Sequence, residues 1–365
     1  AASPGKLRFF RCKFQLLRIN APPIQEQHLL FQSCPVSNMF LLQRAFLITL
    51  LCTTIANRAS GQLSQLPFKR IIVFGDSYSD NGFGYTFLNG TYPVSPPYAK
   101  RFSNGPVWPE YLSQITGWDL EDYACGGATT DNNAIKGVTG PLLVVVPGIA
   151  QQISDYFFPT LTPSKEAILD DEVLYVIWAN GNDFGDDKLA APPLVVSRII
   201  SSFNAIHSKI PTAKHFLALK LSGIGKIPLV TSVNQQIAPG HPLEAKIEAG
   251  FADAEDVLFN DLLQGAVELY RTEHADVKFS IFPTDQLFDN FTSQLGRADI
   301  GVKYVTEPCV EYHYANASVD ITAVCTDVQD YLYWDWYHPT THIHNLFAQA
   351  VKKFLESEYN VHTHS

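Results

Sequence analysis

The sequence predicts an α/β layered fold, a five-stranded parallel sheet covered by helices on both faces in a three-layer αβα sandwich. Three observations predict it. From Lys69 onward, short apolar runs alternate with helix-spaced segments. One run, EVLYVIWA at Glu172–Ala179, is apolar on both faces, as a strand covered on both sides must be. Several runs end in corners rich in Gly, Asn or Asp, where such sheets carry their ligands.

Taken in order, Arg70–Phe74 is a short apolar strand, Trp108–Thr116 suits a helix and Leu120–Ala124 a second strand. Ile149–Phe158 has helical spacing, and Glu172–Ala179 is the third strand. Pro193–Ile210 is helical and Lys214–Leu221 is the fourth strand. Leu243–Glu273 is a long helix with apolar positions at Ile247, Phe251, Val257, Leu258, Leu262 and Leu263. Val277–Phe282 completes the sheet, and His342–Glu358 is a last helix. The stretch from Thr284 to Tyr331 is expected to be a long loop. No internal repeat or low-complexity linker divides the chain, so residues 62–365 are expected to form one domain.

The 365 residues are 46% hydrophobic and 17% charged, which supports a sizeable core. Met39 is the only methionine and opens MFLLQRAFLITLLCTTIANRASGQ. A basic residue, an apolar run of about a dozen and then small residues make residues 39–61 a secretory signal peptide, too short to span a bilayer well. Residues 1–38 are expected to be an upstream extension outside the mature fold. The remaining residues 62–365 carry 19 basic and 35 acidic side chains, a net charge near −16. Such a body repels nucleic acid and anionic membranes, so neither is an expected partner. A secreted, extracellular protein without a membrane anchor is expected, and a monomer.

Three sequons, at Asn89, Asn290 and Asn316, agree with export. Of six cysteines, Cys125, Cys309 and Cys325 survive processing. Cys309 and Cys325 suit a local disulfide, leaving Cys125 as a buried free thiol.

Four segments carry candidate chemistry. IIVFGDSYSDNGF (residues 71–83) ends a strand at Gly75-Asp76-Ser77. DYACGGAT (122–129) ends another in two glycines, whose backbone N–H groups can approach a ligand with no Cβ in the way. ANGNDF (179–184) places asparagine side chains beyond the third strand. In YLYWDWYHPT (331–340), Asp335 and His338 sit three apart, so one turn of chain can aim both at one point. A serine attacks an acyl carbon only when a base takes its proton and donors receive the oxyanion. Each segment alone is an ordinary turn; their order and their placement at strand ends set them apart.

With these four segments in this order, the chain resembles the GDSL-type, or SGNH, serine esterases and lipases. RFSNGPVWPEYL (101–112) and LALKLSGIGKIP (217–228) resemble the intervening stretches, and Cys309 and Cys325 fall where relatives carry a disulfide. The resemblance implies the flavodoxin-like fold of that family. It implies Ser77 as nucleophile, His338 as base and Asp335 as its orienting acid. It also implies an oxyanion hole from the N–H groups of Ser77 and Gly127 and the side chain of Asn182. Two departures stand out: Tyr78 replaces the leucine of the family name, and Asn180 stands where the third block has glycine. No Gly-x-Ser-x-Gly surrounds Ser77, which argues against the α/β-hydrolase elbow.

Asp76, Asp80 and Asp183 are expected to hold their turns by hydrogen bonding. His338, His342, His344, His362 and His364 make no tidy ligand set, and no metal or cofactor is expected. Trp108, Trp178, Trp334 and Trp336 lie near the candidate segments and are candidates for stacking on sugar rings. The expected activity is hydrolysis of carboxylic esters through an acyl-enzyme, with short acyl groups on carbohydrate as substrate. The alternatives are a lipase or phospholipase, and a non-catalytic glycan-binding protein on the same fold.

Overall fold

The computed structural model describes residues 66–169, 172–185, 190–233, 242–315 and 317–361. The upstream extension, the signal segment, Asn316, His362 and His364 lie outside the described residues.

Strand β1 (Arg70–Gly75) leads to helices α1 (Phe83–Phe87) and α2 (Trp108–Thr116), and then to β2 (Asp119–Asp122). A small antiparallel hairpin, β3 (Val138–Thr139) and β4 (Val144–Val145), precedes β5 (Val173–Trp178). Next come α3 (Pro192–Lys209), β6 (His215–Leu219), α4 (Pro242–Glu273) and β7 (Lys278–Phe282). Helices α5 (Thr284–Thr292) and α6 (Gln294–Asp299) precede β8 (Tyr304–Pro308), β9 (Val310–Ala315) and β10 (Ser318–Val324). Strand β11 (Tyr331–Tyr333) and α7 (Thr341–Glu358) close the described chain.

The main sheet runs β2-β1-β5-β6-β7 and is parallel throughout. That is the doubly wound order whose direction of strand addition reverses next to β1, and ligands sit at the carboxyl ends there. The central strands alternate strictly. Ile72, Phe74, Tyr175, Ile177, Phe216 and Ala218 pack on one side with α3 and α4. Ile71, Val73, Leu174, Val176, Trp178, Leu217 and Leu219 pack on the other with α2 and α7. Burial on both faces is why the third run carries no polar alternation. At the sheet edge, β2 is guarded by charge: Arg70 pairs with Glu121 at 2.9 Å and Asp119 at 3.1 Å.

Three boundaries or segments depart from expectation. β2 starts at Asp119 and ends at Asp122, because Tyr123 and Cys125 leave the ladder while their N–H groups still bond the carbonyls of Val73 and Gly75. Ile149–Phe158 is not one α-helix: a turn at Ile149–Gln151 widens into a π-helical turn, Gln152–Phe157, and then a 3₁₀ turn. Pro159, lacking an N–H, sits where it stops. The expected loop from Thr284 to Tyr331 is largely built. It folds because Phe288 and Phe291, three apart on α5, enter the core, and because β9 and β10 pair as a hairpin.

The disulfide Cys309–Cys325 ties the two ends of that hairpin together. Cys125 is a buried free thiol. Asn89 and Asn290 are both exposed, on the turn after α1 and on α5. Among the described residues, no helix is long and apolar enough to cross a membrane.

Candidate active site

β1 ends at Gly75 because nothing larger fits: a Cβ there would lie 2.7 Å from the carbonyl oxygen of Trp178 on the neighbouring strand. The chain turns at once, with the N–H groups of Ser79 and Asp80 both donating to the carbonyl of Asp76 at 3.0 Å. Ser77 sits on this turn and is almost buried. Its Oγ lies 2.8 Å from Nε2 of His338. Nδ1 of the same ring lies 2.8 Å from both carboxylate oxygens of Asp335.

Asp335 is fixed from several sides. Its Oδ1 accepts the backbone N–H groups of Tyr337 and His338, each at 2.8 Å, and its Oδ2 accepts the phenol of Tyr98 at 2.7 Å. The segment is anchored further by the Trp334 N–H to the His338 carbonyl at 2.6 Å. The hairpin closed by the disulfide holds it from behind, with the Val310 N–H on the Trp334 carbonyl at 2.7 Å. So Ser77, His338 and Asp335, from opposite ends of the domain, form one hydrogen-bonded chain.

Residues 71–351, well over half of the chain, match the family of GDSL-like lipases and acylhydrolases. The chain belongs to this family. Among its curated relatives, the phosphatidylcholine-sterol acyltransferase of Aeromonas hydrophila is 24% identical over 326 residues, covering 82% of this chain and 94% of that protein. The thermolabile hemolysin of Vibrio parahaemolyticus is 24% identical over 318 residues, covering 85% and 68%. An acetylesterase of Hypocrea jecorina is 31% identical over 156 residues, which cover 39% of this chain and 45% of that protein.

The loops of this GDSL-family site are joined by three buried carboxylates, which form a closed ring. Asp80 on the serine turn accepts the N–H of Gly126 at 2.8 Å, holding the glycine turn. Asp76 accepts the N–H of Asn180 at 2.7 Å, holding the asparagine loop. Asp183 accepts the N–H of Thr130 at 2.9 Å and takes its hydroxyl at 2.5 Å, joining the asparagine loop to the glycine turn. Gly127 has φ +88°, and a Cβ there would lie 2.2 Å from the Val138 carbonyl oxygen, so only glycine fits. The amide nitrogen of Asn182 donates to the Ala128 carbonyl at 2.9 Å, which leaves its second hydrogen available. Asn180, the departure in the third block, turns its side chain to the buried Ser222 and accepts its N–H and hydroxyl at 3.1 and 3.0 Å.

Burial sets the electrostatics. It pushes the carboxyls of Asp76 and Asp80 up to about 6, against the N–H groups that favour their charged form. Asp183 is also raised by burial. For Asp335, burial opposes charge, but the imidazole of His338 and the hydrogen bonds from it and Tyr98 outweigh it and hold the carboxyl below its ordinary value. Burial lowers His344 to about 3, so it stays neutral, with His338 adding to the effect.

Two supporting residues carried no sequence signal. Gln152, fully buried, pairs with the Gly75 peptide: its Oε1 accepts the N–H at 3.0 Å and its Nε2 donates to the carbonyl at 2.8 Å. Tyr98 lies in a Pro-rich loop far from Asp335 in sequence. A glutamine in the helix-spaced stretch QQISDYF is no signal by itself, since its burial shows only in the structure. Tyr78 packs edge-on against Trp178 with ring centroids 5.2 Å apart, its hydroxyl donating to the Tyr337 carbonyl at 2.6 Å. Trp108, Trp178 and Trp334 are buried, which removes them as a platform for sugar rings; Trp336 is half-buried, its indole N–H donating to the Tyr312 carbonyl at 3.2 Å.

Proposed function

We propose that the protein is a secreted serine esterase that hydrolyses carboxylic esters through an acyl-enzyme. The observation that supports it most directly is the chain of 2.8 Å contacts from Ser77 through His338 to Asp335. In this reading, Oγ of Ser77 attacks the ester carbonyl while Nε2 of His338 takes its proton. Asp335 holds the ring through Nδ1 and stabilises the imidazolium. The N–H groups of Ser77 and Gly127 and the side-chain amide of Asn182 receive the developing oxyanion. Collapse breaks the bond to the alcohol, which leaves with the proton from His338. Water, deprotonated by the same imidazole, then attacks the acyl-serine and frees the acid.

For the substrate, short acyl groups on carbohydrate remain the reading that the resemblance to the Hypocrea jecorina acetylesterase supports. A longer-chain acyl ester is the second reading, which the resemblance to the phosphatidylcholine-sterol acyltransferase of Aeromonas hydrophila supports. The first test is labelling by a fluorophosphonate probe, comparing the wild type with Ser77→Ala. Labelling that disappears in the variant is the expected result. A folded wild type that takes up no probe would remove the esterase reading and leave the glycan-binding alternative.

A further inference from the structure

The turn that carries Asp335 and His338 is splinted along its length by residues 98–103, from the far end of the domain sequence. The phenol of Tyr98 donates to Oδ2 of Asp335 at 2.7 Å, across 237 residues. The Phe102 ring lies 5.1 Å from the His338 ring, and the Ser103 hydroxyl donates to the Pro339 carbonyl at 3.0 Å. The splint is itself tied down, with the Lys100 N–H on the Ser95 hydroxyl at 2.9 Å and the Ala99 N–H on the Ser103 carbonyl at 3.0 Å. Tyr98 is buried, edge-on to Trp334 at 6.0 Å and packed with Cys309 and Val310.

The Tyr98 contact differs in kind from its neighbours, because it alone of the three meets a carboxylate. Oδ1 of Asp335 is pinned by the N–H groups of Tyr337 and His338, and Oδ2 is held by the phenol beside the imidazole that both oxygens share. Those two points set the rotation of the carboxylate, and with it the direction in which Nδ1 of His338 is drawn. The phenol stays a donor throughout: burial pushes its ionisation far above the ordinary range, and the Asp335 carboxylate adds to this. A donated hydrogen bond also spreads the charge of a buried carboxylate, which then attracts a protonated imidazole less strongly.

We infer that Tyr98 is a positioning residue for the base: acting through Asp335, it aims the imidazole of His338 at Ser77 and moderates the charge that holds the imidazolium. The inference rests on Ser77, His338 and Asp335 being the reacting chain. Without the hydroxyl, the ring keeps its proton to higher pH, so the acid limb of the pH–rate profile moves up. Other titratable groups face the same pair. Asp76 on the serine turn and His344 on α7 face His338, while Tyr78 on the serine turn, Tyr92 ahead of Tyr98 and Tyr312 on β9 face Asp335. Burial keeps His344 and these three phenols neutral through the assay range. Asp76, raised by burial to about 6, titrates within it, but does so in every variant.

The test is the pH profile of kcat/KM for p-nitrophenyl acetate in the wild type and Tyr98→Phe. The variant is expected to lose about 10- to 100-fold in plateau kcat with KM little changed, a share of what a positioned base contributes. Its acid limb is expected to move to higher pH by about half a unit or more. Tyr78→Phe is the control. It removes a buried phenol that holds the same turn at 2.6 Å, but one that donates to the Tyr337 carbonyl rather than to a carboxylate. It is expected to leave the acid limb where the wild type has it. Placing 3-fluorotyrosine at position 98 keeps the ring and its packing and makes the phenol a stronger donor, so the limb is expected to move to lower pH. That substitution removes no group, so it reads the effect even where Tyr98→Phe does not fold. An acid limb that neither change at position 98 moves, or a shift that Tyr78→Phe reproduces, would overturn the inference while leaving an esterase. A folded wild type with neither probe labelling nor turnover would overturn the esterase reading and the inference with it.

Discussion

The ring of carboxylates makes a sharp prediction at Asp80. Its Oδ2 holds Gly126, the neighbour of the proposed oxyanion donor, while Oδ1 accepts the N–H groups of Gly82 and Gly84 at 2.9 and 3.1 Å. Asp80→Asn keeps the shape but offers one acceptor oxygen in place of two. Either the N–H of Gly126 or those of Gly82 and Gly84 then face an amide NH₂. Losing a charge-assisted hydrogen bond costs about 1.5–3 kcal/mol. Against this, the carboxyl is raised by burial from 3.8 to about 6. Keeping it ionised at pH 8 therefore costs the native state about 3 kcal/mol, which asparagine does not incur. The two nearly offset, so the variant should melt within a few degrees of the wild type at pH 8 while its kcat falls roughly 10- to 100-fold through a displaced oxyanion donor.

The pH dependence separates this account from a generic defect. A folded-state value above the unfolded one means that Asp80 adds stability below about pH 4, and that this is lost as pH rises through about 6. Asparagine does not titrate. The wild type's stability relative to the variant should therefore fall by about 2 kcal/mol between pH 4 and pH 7, measured by urea unfolding at both. Asp122, also pushed up by burial, titrates in both proteins and largely cancels. A kcat within twofold of wild type, or a stability difference that is the same at both pH values, would refute the reasoning.

Two further substitutions test separate parts of the site. Asp335→Asn leaves a hydrogen-bonding group beside Nδ1 of His338 but favours the wrong tautomer, so kcat should fall about 10⁴-fold with KM little changed, measured by steady-state ester hydrolysis. Replacing both Cys309 and Cys325 by serine opens a loop with a sequence separation of 16 and should remove about 3 kcal/mol of stability, read by denaturant unfolding of the two forms.

The main sheet was legible in the sequence because its strands are covered on both faces. Runs such as VLYVIW leave no room for another period, and the helices between them present one apolar stripe each. What escaped is instructive in the same terms. α5 and α6 are short, nine and six residues, so their helical repeat barely completes two turns. The β9–β10 hairpin mixes polar and apolar residues, β10 being mostly exposed, and owes its order to pairing and a disulfide, neither of which leaves a run of apolar letters. The break at Gln152 was hidden for the opposite reason: its spacing suits a helix, and only the Gly75 peptide, whose N–H and carbonyl its side chain meets, explains why that side chain turns inward.

The candidate site divides along the same line. Ser77, Asp335 and His338 were legible because each follows or precedes an element end, and two of them are three residues apart. The groups that hold them were not. Asp80 reaches 46 residues to Gly126, Asp76 reaches 104 to Asn180 and Asp183 reaches 53 to Thr130. Each of these acids reads locally as a turn residue. They are also costly where they are, since burial disfavours the charge of all three. Apolar packing would give a more stable junction, but it cannot point an acceptor at a specific backbone N–H. A closed ring of such contacts fixes three loops by direction as well as distance, and the proposed oxyanion hole, assembled from the same three loops, requires that. Because the ring is closed, displacing any one loop strains the other two, so the effects of Asp76 and Asp183 substitutions on kcat should not add to that of Asp80.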